Sequence, residues 1–159
     1  LNHQWRADLL QSWADMASKE GMGSVGKEAA RWMIGPRSFR RLLPALGWMG
    51  AQQLFNPAGA FVSQINAILS TEGEELTADL SNITCPAMVV VGNQDVLTPR
   101  GDAEEIASRI PTAELVIISG GAHGLHIEHA STFNRILLEF LGRAEKVFVP
   151  HGHAAAVAV

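Results

Sequence analysis

Two residues of this 159-residue chain have the chemistry of a proton relay. Asp95 follows the apolar run Met88-Val89-Val90-Val91 and Gly92, in the string GNQDVLTP, and His123 stands in the string GGAHGLH. An ionised carboxylate can accept the Nδ1–H of an imidazole and so hold its tautomer. It also stabilises the imidazolium that forms when Nε2 takes a proton. Either residue alone has an ordinary default role, the aspartate in a turn and the histidine in a solvated loop. The pair rises above that default because of where the surrounding elements must put it.

Ala87 to Val91 is a continuous apolar run bounded by Pro86 and Gly92, the pattern of a parallel strand buried on both faces. Thr98 is suited to cap a following helix, with Pro99 at its first position. Ala103, Ile106, Ala107 and Ile110 then keep helical spacing until Pro111. Leu115 to Ile118 reads as a second buried strand. After Gly120 and Gly121, the residues Phe133, Ile136, Leu137, Phe140 and Leu141 mark a last helix, closed by Gly142. Strand, helix, strand and helix make a βαβ unit, whose parallel strands end on the same edge of the sheet. Ligand sites of open α/β sheets lie along that edge. Asp95 and His123 each sit just past one strand, so topology brings them to neighbouring loops.

Residues 1–79 follow helical patterns only. Leu9, Leu10, Trp13 and Met16 share a helix that Gly21 stops, and Ser24 could cap a second helix reaching Gly35-Pro36. A third helix would hold Phe39, Leu42 and Leu43 before Pro44. Pro57 would open a fourth with Phe61, Ile65, Ile68 and Leu69 on one face. All four tryptophans and four of the five methionines fall in this half. They suit a helix-packing core, or the wall of an apolar pocket. The expected organisation is a helical region over 1–79, an α/β region over 80–146 and a mobile tail over 147–159.

The bulk composition narrows the function classes. A 47% hydrophobic and 18% charged chain suits a soluble globular domain, and a formal charge of −4 gives nucleic acid no basic surface to bind. The short cluster Arg37-Ser38-Phe39-Arg40-Arg41 reads as a solvated helix face. No apolar run approaches the roughly 18 residues of a membrane span. One cysteine, Cys85, excludes an internal disulfide and suits a reducing, cytoplasmic compartment. The chain begins with Leu1 rather than methionine, so a missing upstream segment is expected.

The stretch from Leu80 to Arg143, LSNITCPAMVVVGNQDVLTP through AELVIISGGAHGLHIEHASTFNRILLEFLGR, resembles the carboxyl-terminal part of the α/β-hydrolase fold. In that family a strand leads to G-x-x-D, and a G-x-G-H-type loop after the next strand carries the triad histidine. Ala122 stands here where that loop's second glycine often occurs. The resemblance implies two parallel strands with flanking helices, preceded by a helical cap over the substrate pocket, with Asp95 and His123 as catalytic residues. It further implies acyl transfer to water without a cofactor or metal, on a hydrophobic ester, lactone or related carbonyl compound. The run Glu128-His129-Ala130 with Phe133-Asn134-Arg135 also resembles hydrolases that cleave C–C bonds of ring-fission products. The tryptophans expected after that family's histidine are absent.

The family's nucleophile lies on a G-x-S-x-G strand-to-helix elbow ahead of the acid and histidine. Met22-Gly23-Ser24-Val25-Gly26 lacks the first glycine and follows a helical segment, so Ser24 reads as a helix cap. Cys85 starts the strand that Asp95 ends, roughly 25 to 30 Å away at about 3.3 Å per residue, and reads as a buried structural thiol. The nucleophile is therefore expected upstream of Leu1, and this chain is expected to pair with the missing half or with itself. Two rivals remain. His123, His126 and His129 with Glu128 recur at a spacing that could ligate zinc, although Gly124 opposes a continuous helix there. A binding module that keeps the fold without a nucleophile would hold an apolar ligand and turn nothing over.

Overall fold

A computed structural model describes residues 3–41, 57–71 and 77–148. Helix α1 (Gln4–Glu20) and helix α2 (Met22–Met33) meet at Gly21, whose φ of 85° lies in the left-handed region that suits glycine. Ser24 therefore lies inside α2, without the capping role its sequence context suggests. It is the third helical residue, and Gly21 occupies the cap position. A further helical stretch begins at residue 36. Leu42, Leu43, Pro44 and Trp48 lie outside the described residues. Helix α3 (Ala58–Ser70) opens after Pro57, as its fixed φ favours. Its inward face carries Ile65, whereas Ile68 is exposed.

Helices α1, α2 and α3 pack together around Trp13, Ala17, Met22 and Val25, with Phe61 and Val62 against them. That cluster also contains Leu97, from the loop after the first strand. The core of the helical half thus reaches into the loop that bears Asp95. Burying these apolar side chains is what docks the two halves.

Strand β1 (Ala87–Gly92) pairs in parallel with strand β2 (Ala113–Ile118), in register from Ala87 with Ala113 to Gly92 with Ile118. Helix α4 (Arg100–Arg109) connects them and packs on both. The short helix α5 (Leu125–Glu128) and the long helix α6 (Ala130–Phe148) follow. Gly142 is internal to α6 rather than its stop, and 149–159 lie outside the described residues. The expectation that β1 is buried on both faces holds only at its end. Val91 and Gly92 are buried, while the four residues before them are half-buried. Among the described residues the sheet has two strands, so each keeps one edge without a partner strand. Cys85, expected to be buried, is exposed: it lies two residues ahead of β1, whose burial is confined to its carboxyl end. Its carbonyl accepts a bond from the Thr112 hydroxyl.

Candidate active site

The carboxyl ends of β1 and β2 are joined by more than the strand pairing. Beyond the strands, Asn93 N–H donates to the Ile118 carbonyl at 3.1 Å and Gln94 N–H to the Gly121 carbonyl at 2.8 Å. The Asn93 side chain accepts from Gly120 N–H at 2.7 Å. This close approach requires glycine at two places. A Cβ on Gly92 would collide with the Gly121 carbonyl, and Gly120 turns the second loop at a φ of 80°.

Asp95 sits in this seam with its side chain only 4% exposed. Oδ1 accepts the N–H groups of Leu97 at 2.9 Å and Thr98 at 3.0 Å. Oδ2 accepts the Thr98 hydroxyl at 2.8 Å and faces His123 Nδ1 at 3.0 Å. A carboxylate offers about four lone-pair sites, and all are engaged here, which satisfies the demand of a buried charge. The local turn arises because Asp bonds to backbone two and three residues ahead.

The same geometry decides the histidine tautomer. An ionised carboxylate can only accept, so the nitrogen facing Oδ2 carries the proton. Thr98 Oγ1 lies 3.2 Å from the same Nδ1 and has already given its hydrogen to Asp95. It therefore also accepts from the imidazole. With Nδ1 protonated, Nε2 of the neutral ring keeps its lone pair, on a side chain that is 36% exposed. A buried acid, an oriented ring and a basic nitrogen open to incoming groups can move protons to and from a bound substrate.

Thr98 was expected as a helix cap. Pro99 occupies that position instead, and the Thr98 hydroxyl stands between acid and base. The signal for this role was present in the three-residue spacing from Asp95. Cap chemistry and acid-loop chemistry use the same residue type, so sequence could not separate them.

Glu128 was the second surprise. Named as a possible metal ligand and as part of a resembling run, it is 3% exposed. Its Oε1 accepts Ala122 N–H at 2.9 Å and its Oε2 accepts Gly35 N–H at 3.0 Å. His126 turns away to meet Phe133 edge-on, with ring centroids 6.3 Å apart, and His129 precedes α6. Among the described residues no three His, Cys, Asp or Glu side chains gather as a ligand set. No helix of the described residues is long and apolar enough to cross a membrane.

No protein-family model matches the chain. Among curated proteins, RutD of Stutzerimonas stutzeri, named as a carbamate hydrolase, is 31% identical over 87 residues. That match covers 55% of this chain and 32% of RutD. The enol-lactonase of Burkholderia xenovorans has a similar fold, with a TM-score of 0.77 and 21% identity over 85% of this chain and 50% of that one. MGS-M2, an α/β hydrolase from a deep-sea metagenome library, gives a TM-score of 0.71 at 18% identity, over 96% of this chain and 55% of MGS-M2. The chain thus spans about a third of the curated relative and about half of the structural ones. Its strand order, its loops and these likenesses show that it carries part of the α/β-hydrolase fold.

Proposed function

We propose that this chain supplies the acid and histidine of a hydrolase whose nucleophile comes from polypeptide outside these 159 residues. The observation that carries the reading is the 3.0 Å approach of a buried Asp95 Oδ2 to His123 Nδ1. In the proposed cycle, His123 Nε2 takes the proton of a serine-type nucleophile as it attacks a substrate carbonyl. The imidazolium then returns that proton to the leaving group, and water repeats the sequence to release the acid. Asp95 stays ionised throughout and stabilises the charged ring.

The substrate class is a small apolar ester, lactone or related carbonyl compound, handled without a cofactor. The kinship with proteins named as a carbamate hydrolase and an enol-lactonase supports hydrolysis at an acyl carbon. Residues 1–79 act as the cap over the pocket in this reading. Their shared core with Leu97 supports it, because that core abuts the acid loop.

The test is a panel of nitrophenyl esters and lactones with the complete protein, comparing two histidine variants. His123→Ala is expected to abolish turnover, while His126→Ala retains most of it. Equal losses would mean that the wrong imidazole has been chosen. Turnover unaffected by either would remove His123 as the base, and no turnover of any compound in the panel would favour a ligand-binding module.

A further inference from the structure

We infer that Glu128 is a positioning residue for His123, and that it works by locking the histidine loop to the carboxyl end of α2. This rests on the reading of His123 as the base. Glu128 is buried, and its two oxygens are divided between two segments that are far apart in sequence. One oxygen holds Ala122 N–H, the peptide adjoining His123, and the other holds Gly35 N–H, just past α2.

Neighbouring contacts point the same way. Gly124 N–H donates to the Met33 carbonyl at 2.6 Å, and Arg41 donates to the backbone carbonyl of Glu128. A Cβ on Gly124 would come within 2.7 Å of Ile34 Cδ1, so the loop lies directly against the end of α2. The residues on both sides of His123 are therefore tied to segment 33–41. The imidazole's own bonds, to Asp95 and Thr98, set its direction. The Glu128 lock sets the height of the backbone from which the ring projects. A shift of the helical half at Gly35 would reach His123 through one carboxylate.

Glutamine is a stringent probe because it keeps the shape and removes one acceptor. An amide NH2 would then face a backbone N–H, donor against donor, at either Ala122 or Gly35. The first readout, in the complete protein, is the NMR signal of the His123 Nδ1 proton, together with amide exchange at Gly35 and Ala122. The second, in the complete protein, is kcat and KM. Glu128→Gln is expected to displace or broaden the ring signal and to speed exchange at both amides. It should lower kcat by about 10²-fold with KM nearly unchanged, the scale of a roughly 1 Å misplacement.

Ile110→Ala, buried at the end of α4 beside the start of β2, supplies a matched loss of stability away from the site. It should leave the ring signal and kcat as in the parent. If Glu128→Gln does not fold, Gly35→Ala applies a milder push, since the added Cβ meets Glu128 Oε2 at 3.0 Å. It should move the same signal in the same direction, by less. An unchanged ring signal and unchanged kcat in a folded variant, whether Glu128→Gln or Gly35→Ala, would overturn the positioning role. A shifted ring signal in a protein whose turnover ignores His123→Ala would instead overturn the base assignment and leave the lock standing.

Discussion

Asp95 Oδ2 and His123 Nδ1 lie 3.0 Å apart across 28 residues of sequence, and the carboxylate has no lone pair left over. This saturation makes Asp95→Asn more damaging than a simple loss of charge. The amide keeps one acceptor oxygen, so it cannot serve both the turn and the imidazole. If its NH2 faces the ring, it demands an acceptor at Nδ1 and moves the proton to Nε2. Turnover should fall by several powers of ten, in line with about 10⁴ for the analogous change in a serine-protease triad. Steady-state assay of the complete protein checks this, and a loss below tenfold would count against Asp95 as the acid.

Thr98 separates a hydroxyl effect from a packing effect. Thr98→Val keeps the volume and removes the donor to Asp95 and the acceptor to His123. A hydrogen bond to a charged group is worth about 1.5–3 kcal/mol, which corresponds to about 10- to 100-fold in rate. Thr98→Ser should restore most of the activity. Indifference to both substitutions would reduce Thr98 to a turn residue.

Gly92→Ala tests the seam between the two loops. The new methyl would meet the Gly121 carbonyl, a backbone atom held by the Gln94 N–H, so neither side yields cheaply. Overpacking of this kind costs about 1–3 kcal/mol, occasionally more. A lowered midpoint in denaturant titration is expected, with the Asp95–His123 geometry lost before the helical half unfolds. A midpoint equal to the parent's would show that the seam is looser than its hydrogen bonds suggest.

Asp102 ties α1 to α4, and its loss should loosen the halves. Its largely buried carboxylate pairs with Arg6 and lies 3.2 Å from His3 Nε2. Breaking a buried pair by removing one partner costs about 3–5 kcal/mol; with Arg6 partly exposed, about 1–3 kcal/mol is expected for Asp102→Ala. Calorimetry of the variant beside the parent measures it.

Among the described residues β1 has no strand on its outer edge, and that flank should make the chain associate. A cavity of ≈ 510 Å³ is lined by Val89, Val90 and Val91 in succession, together with Leu80 and Ile106. Consecutive strand residues point to opposite faces, so this cavity wraps the strand's edge. Unpaired edges recruit other strands. Sedimentation should show mass rising with concentration, or a complex with the complementary half of the fold. A monomer that melts cooperatively at all concentrations would contradict it.

Much of the site could be read without coordinates. The apolar runs before Gly92 and Ser119, the helical spacing from Ala103 to Ile110 and the glycines around His123 are local signals. Their consequence, two loops on one sheet edge, follows from chain topology alone. The places of Asp95 and His123 were legible for that reason. Helix ends were less so: Ser24 and Gly142 carry the residue types of a cap and a stop, yet both lie within helices. Single-residue preferences at helix ends are worth about 1 kcal/mol and yield to packing.

By itself the sequence determined the order of strands and helices and which acid and which imidazole would share a rim, because hydrophobic periodicity and crossover topology are properties of the chain. Only the tertiary structure decided that Leu97 joins the core of the helices, that Thr98 bridges acid and base, and that Glu128 reaches Gly35. Those are contacts between segments distant along the chain or choices among local partners, and their distances exist only after the halves have docked. Burial then favours the polar arrangement in which both oxygens of Asp95 and both oxygens of Glu128 are hydrogen-bonded.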